Sequence, residues 1–341
     1  MARADRLRKA MRRAGARPLV PLLIAAALAA CGGAHGPAVQ VVVPPGSGMS
    51  AVADSLAAHR IIRFPAVFRA YARVAGVAHD IKPGVYALEP GSNWDAVLHK
   101  LATGDVVRVK VVIPEGWTTT QIAQQIGTAA QVPSDSVLPL LRSDSAARIF
   151  GVPGPTLEGY LYPATYTFPL RAPPRKMIRA MVHRYEAVWT PALRARADSL
   201  GLSERAVVTL ASIVEMEAKH WNERDTIAAV YRNRLRLGMP LQADPTVQYA
   251  LGSHRSRLLY SDIDSVADSP YNTYTHRGLP PGPIASPSDG SIRAVLYPAH
   301  VDYLYFVARP NGSHIFTHSL AEHNAAKTRV RRMRQSHQAR G

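Results

Sequence analysis

The sequence predicts an α+β protein, a small α/β module followed by a mixed α+β domain, and three features carry that reading. Three segments before residue 127 repeat a strand end, a Pro/Gly turn and a helical period. Two amphipathic helical patterns follow one another between residues 203 and 238, and an Asn-Gly pair joins two alternating runs near the C-terminus. At 341 residues, 47% of them apolar, the chain can bury a core in each of two domains.

The net charge of +17 would suggest a nucleic-acid partner if it were spread over the body. It is not. Residues 1–17 carry seven Arg/Lys against Asp5, and residues 327–341 carry six with no acid, leaving only +5 for everything between. This distribution excludes a basic nucleic-acid-binding domain and suits a polyanionic polymer or an anionic membrane surface. The first arginines precede a run of 13 apolar or small residues ending at Ala30, an export signal by shape and short for a bilayer span of roughly 20 residues. Leu28-Ala29-Ala30-Cys31-Gly32 resembles the bacterial lipobox, in which the cysteine is lipidated; the alternative is an uncleaved anchor with a chance cysteine. On either reading residues 1–31 export and tether an extracytoplasmic, periplasmic body. Cys31 is the sole cysteine, so that body has no disulfide.

The three repeats, VPPGSGMSAVADSL (43–56), LEPGSNWDAVLHKL (88–101) and IPEGWTTTQIAQQI (113–126), align without gaps on Gly46, Gly91 and Gly116. Apolar residues at Met49/Val52/Leu56 and Trp94/Val97/Leu101 have helical spacing, and VQVVV and VRVKVVI before the first and third are β-branched strand sequence. Such units recur in many α+β domains, and they also look like the sugar-polymer-binding LysM family, which predicts a LysM-like module at 38–105. After residue 130 the pattern turns to loops and short helices. Then comes TLEGYLYPATYTFP, where Glu158 sits among Tyr160, Tyr162 and Tyr166, a mixture suited either to sugar stacking or to half-buried packing.

Ser203 is the expected N-cap of a helix running through RAVVTLASIVEMEAKHW, and a second runs from after Asn222 to a stop at Gly238. Glu215 lies on the face of Val208, Ala211 and Ser212. Glu217, about 200° round the helix, points toward Ile213, Val214 and Trp221, so the two are not a catalytic pair. A bland role for Glu215 is an i,i+4 ion pair with Lys219.

Further motifs decide the reading: GMPLQADPTVQYALG (238–252), SPYNTYTHRGLPPGPIASP (269–287) and YLYFVARPNGSHIFTHSLAEHN (303–324). With LEGYLYPATY and ASIVEMEA, they resemble, in order, the endolytic murein transglycosylase family, also called YceG-like, over residues 40–330. The resemblance implies a catalytic domain at 106–326, ahead of a basic tail at 327–341, that cuts peptidoglycan glycan strands internally without metal or organic cofactor. It implies Glu215 as the catalytic acid, Glu158, Gln242, Asp244, Thr246, Tyr249, Asn272 and Tyr274 at the cleft, and work beside peptidoglycan synthases. Ala243 and Ser286 depart from the usual family residues, and the lipobox-like Cys31 departs from its usual uncleaved anchor in the inner membrane.

Cleaving a β-1,4 glycosidic bond needs a proton for the leaving oxygen. A carboxyl in an apolar pocket keeps that proton near neutral pH. A lytic transglycosylase can use one glutamate twice, as acid and then as base on the sugar's own 6-hydroxyl. Gln242 and Asp244 are expected in a turn fixed by Pro245, and Asn272 and Tyr274 either at a sugar or at a strand edge. The proline-rich loop 280–287 reads as a cleft wall or a connection. Asn311-Gly312 predicts a hairpin, and Ser319 with Glu322 a capping box. His314, His318 and His323 lack zinc-ligand spacing, and no G-x-S-x-G is present. The competing function is a non-catalytic peptidoglycan-binding envelope scaffold. A third is a muramidase that uses water.

Overall fold

Each of the three glycine-aligned repeats forms a strand, a turn and a helix. In the computed structural model, which describes residues 36–255 and 257–338, β1 (Val39–Val43) leads through Gly46 into α1 (Met49–Ala58), followed by α2 (Pro65–Val74). In the same way β2 (Gly84–Leu88) leads through Gly91 into α3 (Trp94–Thr103), and β3 (Arg108–Ile113) through Gly116 into α4 (Thr119–Ala130). The three glycines have φ of 78°, 75° and 74°, the left-handed region that a side chain disfavours, which is why the repeats share that residue. The basic and apolar N-terminal segment with Cys31 lies outside the described residues, among which no helix is long and apolar enough to cross a membrane.

The described chain divides into two compact units, residues 36–110 with Thr167–Ala172, and Val111–Tyr166 with the residues from Pro173 onward. The division falls within β3 and β4 (Ala164–Pro169), which pair with each other. In the first unit β1 and β2 are antiparallel, with Val41 opposite Tyr86 and Val39 opposite Leu88. Alternation puts Val41 and Val43 inward, onto a core of Leu56, Phe68, Tyr86, Val97 and Leu101. Trp94 meets Phe68 edge-on, with centroids 5.4 Å apart, and tilts against Tyr71. The Asn93 side chain caps its helix by accepting from Asp95 N, and Gly104 ends it in the left-handed conformation.

The second unit is helical: α5 (Ser134–Arg142), α6 (Ala146–Phe150), α7 (Pro174–Glu186), α8 (Pro191–Ser199), α9 (Glu204–Glu217), α10 (Arg224–Arg236), α11 (Asp244–Leu251), α12 (Tyr260–Ser265) and α13 (Asp289–Leu296). The hairpin of β5 (Tyr305–Ala308) and β6 (His314–Thr317) and the long α14 (Leu320–Gln338) complete it. At the centre is α9, in which every residue from Val207 to Val214 is buried. It packs against α10 and α13, which also pack on each other. Ser203 caps α9 as its sequence requires, accepting from Ala206 N at 3.2 Å. The helix stops earlier than its pattern suggested: Ala218 is extended, and Trp221–Glu223 form a separate 3₁₀ turn before α10. The DPT of QADPT is likewise the first turn of α11, with Ala243 as its N-cap, instead of an isolated turn, since Pro245 fits where no N–H is needed. The hairpin turns at Gly312, with φ of 86°. In the cap that follows, Glu322 N donates to Ser319 Oγ while His318 N donates to the Glu322 carboxylate.

Trp94→Ala should destabilise the first unit by about 3 to 5 kcal/mol through the cavity it leaves, read as a lower denaturant midpoint in equilibrium unfolding.

Candidate functional site

Glu215 and Glu217 leave the end of α9 in different directions and meet different surroundings. The Glu215 carboxylate is fully engaged as an acceptor. Oε1 accepts from Arg224 Nη2 at 2.7 Å, and Oε2 accepts from Ser288 N, Ser288 Oγ and Ser291 Oγ at 2.9, 2.6 and 2.7 Å. Ser288 is the N-cap of α13, so the carboxylate sits where a helix presents its free N–H groups and the positive end of its dipole. Both members of the Glu215–Arg224 pair are buried, with side chains 6% and 7% exposed. Arg224 also reaches Glu115 at 3.5 Å and stacks over the Trp221 ring, 4.2 Å from its centroid. The anticipated partner Lys219 lies beyond the helix end and is exposed.

Glu217 is the last residue of α9, where the helix dipole disfavours negative charge, and its carboxyl turns toward α10. Its one hydrogen bond among the described residues comes from the Tyr231 hydroxyl, donating to Oε1 at 2.8 Å. Tyr231 is itself buried, edge-on to Phe306. Burial first, opposed by the Tyr231 hydrogen bond and reinforced by the charge of Asp244, pushes the Glu217 carboxyl up to about 7. The residue remains half-buried rather than sealed.

Asp244 and Gln242 come to the neighbourhood of Glu217 through a knot of two motifs. Thr273 is its centre: its carbonyl accepts from Gln242 N, its hydroxyl accepts from Ala243 N at 3.0 Å, and it shares a hydrogen bond with the Thr246 hydroxyl. Gln242 is held at φ of 49°, an uncommon conformation for a side-chain-bearing residue, with its side chain exposed. Asp244 is exposed and accepts from the Tyr274 hydroxyl. Arg234, donating to the carbonyls of Leu241 and Leu304, fixes the strand of chain before the knot. Thr246 and Asn272, by contrast, are fully buried. Asn272 donates to Ile263 O and Val266 O and accepts from Tyr274 N, so its side chain is consumed in holding the loop.

The buried Glu158 and the half-buried Tyr249 form a separate cluster. Glu158 accepts from Thr119 N and Thr119 Oγ1 at the start of α4, and from the Tyr249 hydroxyl at 3.3 Å; Arg142 lies 3.9 Å away. Burial raises its carboxyl to about 7 against the pull of the Thr119 hydrogen bonds and Arg142. The proline-rich loop is tied down as well. Ile284 N donates to Ser212 Oγ on α9, and Ser286 exchanges backbone hydrogen bonds with Gly116 and Trp117. Gly159 (φ 82°) lies against Pro283, where a Cβ would come within 2.4 Å, so only glycine fits beneath the loop. The two departing residues, Ala243 and Ser286, are both buried, and the Ser286 hydroxyl has no hydrogen-bond partner among the described residues. His314 pairs with Glu223 at 2.7 Å, and no group of three or more possible metal ligands occurs among the described residues.

Sequence reasoning named Glu217 only as the carboxylate on the opposite face of the helix, and it gave no role to Tyr231, Arg234, Arg224 or the serines at the start of α13. Tyr231 was legible only as one position of an apolar stripe, and Arg224 only as one of several arginines.

A profile of the YceG-like family matches residues 41–329. The chain belongs to the YceG-like family. The endolytic murein transglycosylase of Bacillus subtilis is 36% identical over 307 residues, covering 85% of this YceG-like chain and 84% of that protein. That of Streptococcus pneumoniae serotype 2 is 32% identical over 305 residues, covering 79% of this chain and 54% of the longer pneumococcal protein. The crystal structure of a YceG-like protein from Listeria monocytogenes superposes with a TM-score of 0.59 at 36% identity, over 85% of this chain and 99% of that one.

Glu215→Ala should cost about 3 to 5 kcal/mol by leaving the buried Arg224 with only its longer contact to Glu115, seen as a lowered denaturant midpoint. Glu158 has a different signature. Its carboxyl ionises near 7 when folded and near the ordinary glutamate value when unfolded, so the unfolded chain loses its proton first. Its contribution therefore makes stability fall as pH rises from about 4.5 to about 7. Glu158→Gln should flatten that stretch of a pH-stability curve.

Proposed function

We propose that the protein is an endolytic lytic transglycosylase of peptidoglycan, cutting the MurNAc–GlcNAc β-1,4 bond within glycan strands and leaving 1,6-anhydro-MurNAc ends. Family membership and the names of its relatives support the reaction class. The observation that carries the assignment of the acid is the contrast at the end of α9. Glu215 has its lone pairs taken up by Arg224, Ser288 and Ser291, whereas Glu217 is raised to about 7 and bonded only by a hydroxyl. We therefore move the catalytic role from Glu215 to Glu217, and read Glu215 as the brace of the helix that carries it.

In this reading Glu217 gives its proton to the glycosidic oxygen as the bond to C1 breaks. The resulting carboxylate then takes the proton of the sugar's 6-hydroxyl as that oxygen closes on C1. Tyr231 donates to the carboxylate while it is charged and holds its rotamer throughout. Gln242, Asp244 and Tyr274, beside it, are placed to bind N-acetyl and hydroxyl groups, with Glu158 and Tyr249 supporting the cleft from within. The strand-turn-helix repeats of the first unit are read as a LysM-like module gripping the same polymer, and the exported, Cys31-tethered form would bring both to the wall. The scaffold alternative needs no ionisable group at 217.

Purified peptidoglycan incubated with the wild type should yield internal fragments with 1,6-anhydro ends by mass spectrometry. Glu217→Gln should lower that yield by about 10² to 10⁴ while remaining folded. If Glu217→Gln retains full activity and a folded Glu215→Gln loses it, the acid is Glu215. Binding without fragments from any version would leave the scaffold. Because the acid must be protonated, kcat/KM should fall above about pH 7. Tyr231→Phe removes a hydrogen bond that favours the charged form, so that limb should move to higher pH.

A further inference from the structure

The C-terminal helix carries a charge pattern that neither its packing nor the proposed reaction uses. On α14, Ala326 and Val330 are buried and His323 and Met333 half-buried, the i, i+3, i+7, i+10 stripe of a helix docked on the β5–β6 hairpin. Every other position from Lys327 to Gln335 is exposed, and five of them are cations: Lys327, Arg329, Arg331, Arg332 and Arg334. Lys327, Arg331 and Arg334, spaced i, i+4, i+7, form one row beside the docked stripe. Like charges at that spacing destabilise a helix, and the helix's one acid, Glu322, is spent on its N-terminal cap. No ion pair joins any of the five to a carboxylate among the described residues, although the same unit pairs Arg194, Arg224 and Arg293 with acids. The field of the row reaches its neighbour: burial and the charge of Lys327 both lower the His323 imidazole.

We infer that this row is a docking surface for an anionic lipid bilayer. A straight row of one ammonium and two guanidinium groups matches a plane of phosphates, which arginine binds through paired N–H donors. No aromatic side chain lies among the exposed positions from Lys327 to Gln335 to stack a nucleic-acid base. The surface acts independently of the chemistry at Glu217.

The test compares the full-length wild type with full-length Lys327→Gln/Arg331→Gln/Arg334→Gln, so that the N-terminal segment contributes equally to both. Partition is measured onto phosphatidylcholine vesicles with and without 30% phosphatidylglycerol. Each cation near such a surface is worth about fivefold in partition, so the triple variant should lose on the order of a hundredfold of the phosphatidylglycerol-dependent gain. The difference should vanish as NaCl rises from about 0.1 to about 1 M, where screening shortens to about 3 Å. Arg331→Lys/Arg334→Lys should retain most of the gain, and all variants should stay folded with a melting temperature close to the wild type's, since the positions are exposed and the loss of the long hydrogen bond from Arg334 to Ala308 O is set against relief of like-charge repulsion. Equal partition of the wild type and the triple variant would overturn the inference. So would preferential loss of binding to soluble polyphosphate with vesicle binding unchanged.

Discussion

The brace between Glu215 and the N-terminus of α13 is the constraint on which the second unit depends. It joins the end of α9 to Arg224 at the start of the next helix, α10, and to Ser288 and Ser291 at the start of the sequence-distant α13. The apolar faces of these helices would pack through Val208, Ile227 and Val295 in any of several rotations, because burial is not directional. Four directed hydrogen bonds to one carboxylate select a single rotation of α9. Once that rotation is fixed, the residue two positions on must face α10, and Glu217 meets the Tyr231 hydroxyl.

Two carboxylates on one helix thus acquire opposite characters from their surroundings alone. Glu215 receives donors and a cation; Glu217 receives the negative end of its helix, the charge of Asp244 and a single hydroxyl. The same division of labour recurs in the knot around Thr273. Its buried threonines and Asn272 hold the chain, and the exposed Gln242 and Asp244 are what the knot presents. The unusual backbone at Gln242 is kept because Thr273 and Arg234 grip the chain on both sides.

Sequence alone determined whatever depends on neighbours within a few residues. The glycines at 46, 91 and 116 mark turns that need a left-handed residue, Ser203 marks a helix start, and Asn311-Gly312 marks a hairpin, each for a local steric or hydrogen-bonding reason. The order of motifs gave the family. Helical geometry also placed Glu215 and Glu217 on different faces of α9. Only the tertiary structure decided what each face meets, because the Glu215 partners lie 9, 73 and 76 residues away and the Glu217 partner 14. Thr246 and Asn272 were legible as polar residues in a cleft motif, yet burial turned them into struts. The identity of a polar side chain is local information, whereas whether it keeps its proton, faces solvent or holds a loop depends on the burial and charge that distant segments bring to it.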